Sequence, residues 1–390
     1  MDIKAIQEYL REQNLDGWLL ADFHGRNSIA MSYVRPQGMI TRRSFYLIPA
    51  EGEPIAWVNP VEADKFAHLP GRKIVYHGWR HLETELAEVL KPLRRVAMEY
   101  SSFERLPYVG LVEAGTIELI RSFGLEVVSS ADLVAAFQAR LSDIQIGLHR
   151  KAANEIIKIK DRAHHLISEH LTSGKTLTEY DVVHFIEEQF AAHGMTADHA
   201  PNCSVDANAG NPHYEPTREN SKTIEKGQLV LIDLWAKHDQ PDGVYADITW
   251  MAFAGREEDI PENYKKIFAV VTAARDRAIE FLKDNIAVRA VRGAEADDAC
   301  RAIIEAAGYG DLFTHRTGHS IDSETHGSGP NIDNLETEDA RVLQPGHLFS
   351  IEPGIYSKRF GFRSEINCLI TPGGPEITTL PLQYDIVPLL

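Results

Sequence analysis

The chain of 390 residues is too long for one ordinary domain and suits two, the larger able to bury a full core. Its formal charge of −17 argues against nucleic acid or an anionic membrane as the main partner, since no dense run of Lys and Arg offsets it. Three scattered cysteines, Cys203, Cys300 and Cys368, make no disulfide framework and fit a reducing, cytoplasmic setting, and no stretch of about 18 apolar residues exists to span a membrane.

The start, "MDIKAIQEYLREQNLDG", reads as an amphipathic helix, too charged for a signal peptide. Short strands are predicted at 16–22, 44–50, 53–60, 94–100 and 125–131, with helices at 82–93 and 108–121. This alternation implies an α/β layer with a mixed sheet. A long helical pattern follows over 143–174, ending at Gly174. A second helix lies between a Thr178 cap and a Gly194 stop, and two more cover about Glu262–Leu282 and Ala294–Ala307. The expected boundary is near residue 145, giving an α/β domain over 1–145 and an α+β domain over 146–390.

Two hairpin patterns carry carboxylates. In 227–255, "LVLIDLW" holds Asp233 and "VYADITWMAF" holds Asp247, with the turn-forming "HDQPDG" between them. In 345–374, "HLFSIE" ends in Glu352, and "FRSEINCLI" has Glu365 at its centre with Arg363 and Asn367 on the same face. A single strand carboxylate ordinarily faces solvent. Four amid apolar residues need compensating charge, and the only basic neighbour of note is Arg363. Two divalent cations would supply it. "HRTGHSIDSETH" adds His315, His319 and His326 within twelve residues, and His319 would be the single nitrogen ligand. An oxygen-rich set with one imidazole suits Mn²⁺ first, with Zn²⁺, Co²⁺ or Fe²⁺ as alternatives.

At these residues the chain resembles the creatinase/prolidase/aminopeptidase P family, the pita-bread metallopeptidases. The resemblance rests on "LID", "ADIT", "TGHS", "SIEPG" and "RSE" in that order, and spans nearly the whole chain. It implies a small α/β domain before a pita-bread catalytic domain. It implies Asp233 on one metal, Asp247 and Glu365 bridging both, and His319 and Glu352 completing the second. It further implies substrate contact for His213 in "GNPHYEP" and stabilisation of the tetrahedral intermediate for His326, with His315 unassigned. Gly318 is expected to permit a sharp turn at the ligand. Gly327 and Trp250 depart from the family's Glu and Arg and are expected to bear on the substrate pocket.

The implied activity is hydrolysis of the Xaa-Pro bond by a metal-bridging hydroxide, in a cytoplasmic homodimer. Glu352 would take the proton from the hydroxide and pass it to the leaving nitrogen. Arg363 could pair with the free carboxylate of a dipeptide, which favours Xaa-Pro dipeptides over longer peptides. The alternatives are an aminopeptidase P acting on longer peptides, a creatinase-like amidinohydrolase and a non-catalytic peptide-binding module. Retention of all five ligand positions speaks against the last two.

Overall fold

The structure is a computed structural model that describes residues 2–390, and the chain divides into two compact units, 1–137 and 138–390.

The first unit runs α1 (Ile3–Glu12), β1 (Gly17–Asp22), α2 (Ser28–Val34), β2 (Ser44–Pro49), β3 (Ile55–Val58), β4 (Arg72–Val75), α3 (Trp79–Leu90), β5 (Arg95–Met98), α4 (Ala114–Ser122), β6 (Glu126–Ser129) and α5 (Ala131–Phe137). Its six strands form one mixed sheet in the order β4-β3-β2-β1-β5-β6. Strand β1 is buried on both faces. Trp18 and Leu20 enter one core with α1 and α2, and Leu19 and Ala21 enter the other with α3 and α4. The helix expected from Tyr108 begins only at Ala114, because the amides of Leu111 and Val112 turn back to the Glu99 carbonyl.

The second unit begins with the 31-residue helix α6 (Asp143–Ser173), opened by a Ser142–Gln145 capping box and closed by Gly174 in the left-handed region at φ 71°. Helix α7 (Glu179–Ala192) has a reciprocal Thr178–Asp181 cap. The strands β7 (Met195–Thr196), β8 (Asn202–Val205), β9 (Leu229–His238) and β10 (Ala246–Phe253) follow. Helices α8 (Glu262–Asn285) and α9 (Gly293–Ala306) precede β11 (Leu348–Ile351), β12 (Gly354–Tyr356), β13 (Gly361–Arg363), β14 (Ile366–Thr371), β15 (Gly374–Ile377) and β16 (Val387–Pro388). Buried residues of α6 at three- and four-residue spacing, from Ala152 to Ile167, pack with α7 on one face of β8, β9 and β10. The other face of β9 and β10 joins α8, α9, β11 and β14 in a separate core. The side chains of β9 and β10 therefore alternate between two cores, and those on the second face are positioned for chemistry.

Removing the cap of α7 tests the local reading. Thr178→Ala should destabilise the protein by about 0.5–2 kcal/mol, seen as a lower denaturant midpoint with an unchanged slope. An unchanged midpoint would mean that tertiary packing alone sets this helix start.

Candidate metal centre

The expected β9–β10 hairpin is present, with Asp233 opposite Thr249 and Trp235 opposite Asp247. Strand β8 flanks β9 on its other side and sets Asn202 opposite Asp233. Residues paired across antiparallel strands share a face, so Asn202, Asp233 and Thr249 form a row, with Asp247 two residues from Thr249 on the same side.

The second hairpin differs from expectation. Both of its strands are broken: β11 pairs with β14 and β12 with β13, while Glu352 and Glu365 occupy the breaks. Pro353 has no amide hydrogen for the ladder, and the amide of Glu365 leaves its partner to reach the Thr249 carbonyl at 3.3 Å. Glu365 is thus at a kink rather than mid-strand, and the kink turns both carboxylates towards β10. The expected alternation survives. Asn367 receives the Asp247 amide at 2.9 Å and donates to its carbonyl at 2.8 Å, locking β14 to β10, whereas Phe362, Ile366 and Cys368 enter the core.

His319 arrives on a segment that runs beside β11. The Ser350 amide donates to the His319 carbonyl (2.9 Å), and the Glu352 amide donates to the Thr317 carbonyl (2.7 Å). Nδ1 of His319 contacts the Ser320 carbonyl at 3.1 Å, which leaves Nε2 facing Glu352 at 3.3 Å and Asp247 at 3.6 Å. Gly318 is needed for a reason other than a sharp turn: a side chain there would collide with the Ser350 carbonyl. Gly327 similarly abuts Asp322. The ring of His326 meets that of His319 edge-on at 4.3 Å. His315 bridges the Arg316 carbonyl (2.7 Å) and the Tyr356 hydroxyl (2.8 Å).

Asp247, His319 and Glu365 each offer a ligand atom within 4.8 Å of the others. Asp247 Oδ1 is buried with no hydrogen-bond partner among the described residues. Glu365 is 3% exposed and accepts from the Thr249 hydroxyl at 2.7 Å. Burial and the neighbouring Asp233 and Glu352 charges push the Asp247 carboxyl up to about 7, against the pull of His319. Burial and the charges of Asp247, Glu352 and Asp233 push Glu365 well above the usual range. Burial acts against ionisation of Glu352 as well, but His319, His315 and Arg363 outweigh it and lower its pKa. A centre with this much unneutralised negative charge and an orphaned carboxylate oxygen fits divalent cations, and its oxygen-rich donors with one imidazole suit Mn²⁺-type ions.

Arg363 is 5% exposed and turned inward. Its guanidinium pairs with Asp233 and donates to Thr249 Oγ1 at 2.8 Å and to the Tyr356 hydroxyl at 3.3 Å. A substrate carboxylate would have to displace Asp233 from it. His213 is exposed in the loop after β8, outside the buried cluster. Sequence reading missed the anchor of that loop. Glu179, fully buried at the start of α7, accepts from the Val205 amide (2.7 Å), the Lys222 amide (2.8 Å), Asn208 Nδ2 and the Tyr214 hydroxyl (2.7 Å). Only its place directly after a capping threonine could have signalled it. Trp250 lies on the opposite face of β10 from Asp247, against α6, where Lys160 Nζ sits 3.6 Å from its ring centre. It is therefore a core residue and not part of the pocket.

The model of metallopeptidase family M24 matches residues 151–372. The Xaa-Pro dipeptidase of Pyrococcus horikoshii is 26% identical over 97% of this chain and 96% of that protein. The crystal structure of dipeptidase PepE from Mycobacterium ulcerans aligns with a TM-score of 0.70 at 21% identity, over 99% of this chain and 96% of the other. X-prolyl aminopeptidase from Caenorhabditis elegans, described as a cytosolic enzyme with a di-nuclear active site, aligns at 0.66 and 17% identity, over 99% of this chain and 62% of that one. Among the described residues no helix is long and apolar enough to cross a membrane.

The raised carboxyls set a pH test. Asp247 is raised from 3.8 to about 7, so the fold favours its neutral form. The stability that Asp247 contributes to the metal-stripped protein is then fully present below about pH 4 and is lost as pH rises through about 7. Divalent ions bind the ionised form, so their stabilisation grows across the same window. Melting temperatures of chelator-treated protein should fall between about pH 5 and about pH 8, and added Mn²⁺ should restore more at the higher pH. Equal melting temperatures at both, with no gain from Mn²⁺, would contradict the reading.

Proposed function

Because the chain belongs to metallopeptidase family M24, we propose that it hydrolyses the Xaa-Pro bond, preferably of dipeptides, with two divalent metal ions held by Asp233, Asp247, His319, Glu352 and Glu365. Its architecture is the one the motifs implied, an α/β unit followed by a pita-bread catalytic unit. The observation that carries the proposal is the buried cluster of Asp247, His319 and Glu365, with Glu352 3.3 Å from the same imidazole, Asp233 held alongside by Arg363, and Asp247 Oδ1 without a partner among the described residues. In the assignment that the motifs suggest, Asp247 and Glu365 would be the ligands shared by both ions. Mn²⁺ is the first choice, and Zn²⁺, Co²⁺ or Fe²⁺ would suit the same donors.

Such ions would acidify a water and polarise the scissile carbonyl when bound. The chain's own residues supply the rest. Proline before the leaving nitrogen makes a tertiary amide, and that nitrogen must be protonated as the bond breaks. Glu352, kept ionised by His319, His315 and Arg363 despite its burial, is the proton acceptor that can then deliver the proton. Burial, then the charges of His319 and Arg316, bring the His326 imidazole down to about 4 against the opposing pull of Glu352 and Asp198. It is neutral near pH 7 and able to donate a hydrogen bond to oxygen as charge develops. His213, on the exposed loop, is assigned to the substrate side. Arg363 is assigned to holding Asp233.

Dipeptide preference is supported by the relative named Xaa-Pro dipeptidase, which spans nearly the whole chain. The inward pairing of Arg363 removes one argument against longer substrates, so an aminopeptidase acting on longer Xaa-Pro peptides is the second reading. Assembly as a cytoplasmic homodimer rests on the family resemblance.

Two experiments test these assignments. Ala-Pro should be cleaved faster than Ala-Pro-Ala at equal concentration with Mn²⁺, and a faster tripeptide would favour the second reading. His319→Ala should lose bound metal, while His326→Ala should keep it and lose about 10²–10³ in kcat. The reverse pattern of metal loss would exchange the two roles.

A further inference from the structure

Asn202 is 7% exposed at the start of β8, directly across from Asp233. Its side chain shares the Asp233 face, because its neighbours Cys203 and Val205 point the other way into the α6–α7 core. Its amide orientation is determined by a partner: Nδ2 donates to the Tyr214 carbonyl at 2.6 Å. Oδ1 is therefore the free end, and it is buried without a hydrogen-bond partner among the described residues. A buried amide oxygen left unpaired is costly. Within this row it stands beside the carboxylate at the outer edge of the metal centre.

We propose that Asn202 is a specificity residue for the substrate's free N-terminus, with Oδ1 accepting a hydrogen bond from its α-ammonium. This rests on the peptidase reading above. In an Xaa-Pro substrate the α-ammonium is one carbon from the scissile carbonyl, so a carbonyl held at the centre brings the ammonium to the centre's rim. At the other end of the centre His319 and His326 lie near the guanidinium of Arg316. That end is a poor neighbour for an ammonium. The β8 side offers a carboxylate and an uncommitted amide oxygen. A charge-assisted bond there would discriminate strongly, because without the ammonium the amide oxygen stays unpaired. Asn202 also holds Tyr214, the residue after His213, so the same side chain ties N-terminus recognition to the loop that carries the expected substrate histidine.

The test compares Ala-Pro with propionyl-proline, which keeps the shape and lacks the amine, on the Mn²⁺-loaded full chain. Wild type should prefer Ala-Pro in kcat/KM, and Asn202→Leu should reduce that preference by about ten- to a hundredfold, mainly through KM for Ala-Pro. Asn202→Asp keeps an acceptor and loses the donor to Tyr214. It should retain the preference while both compounds turn over more slowly. Equal loss for both compounds in Asn202→Leu would overturn the proposal and leave Asn202 as a loop anchor only. Loss of bound metal in Asn202→Leu would overturn it too, making Oδ1 part of the ion's shell. If wild type hydrolyses neither compound, the Xaa-Pro reading fails, and binding by calorimetry then decides the Asn202 question with the same pair. Tighter binding of Ala-Pro that Asn202→Leu abolishes supports the proposal, and equal or absent binding of the two compounds overturns it.

Discussion

Four acidic side chains are held together with too little positive charge to balance them, and the second unit is arranged around that imbalance. Asp233 has Arg363, and Asp247 and Glu352 share one imidazole. Glu365 accepts from a hydroxyl and is only partly offset by the Arg363 charge. Such a cluster is unfavourable in a low-dielectric interior unless a strong external charge enters it. Only a rigid surrounding keeps it from relaxing, and two buried layers provide one. Helices α6 and α7 cover one face of the β8–β9–β10 sheet, and α8 and α9 pack against the broken hairpin on the other.

The breaks in that hairpin link fold and chemistry. Continuous strands would have faced Glu352 and Glu365 along the ladder between β11 and β14. Pro353 interrupts the hydrogen bonding, and Asn367 and the Glu365 amide tie β14 to β10 instead. The result brings carboxylates from two hairpins into one volume, with His319 set beside Glu352 by a segment that pairs with β11. Close backbone approach at Gly318 is the local condition for that pairing.

Much of this was legible in the sequence, and for a physical reason. Carboxylates within apolar strand runs are conspicuous because burial makes them costly, so Asp233, Asp247, Glu352 and Glu365 could be singled out along with the helices that cover them. What was illegible depends on tertiary direction. Arg363 and Glu365 share a face as alternation requires, yet alternation does not say that the guanidinium turns inward to Asp233. Trp250 stands close to the candidate ligand Asp247 in sequence but on the opposite face of its strand, packed under Lys160. The role of His315 became visible only through its contact with Tyr356, which lies 41 residues away in sequence. Glu179 gathers partners from β8 to the loop that ends at Lys222, and its place after the Thr178 cap gives no hint of those distant partners.

The central claim is that these side chains exist to hold two ions at short separation. Anomalous diffraction from crystals of the full chain grown with Mn²⁺ tests it most directly. The expected result is two peaks about 3.5–4 Å apart, lying between Asp233 and His319 with Asp247 and Glu365 touching both. A single peak, or peaks away from these five residues, would contradict the account.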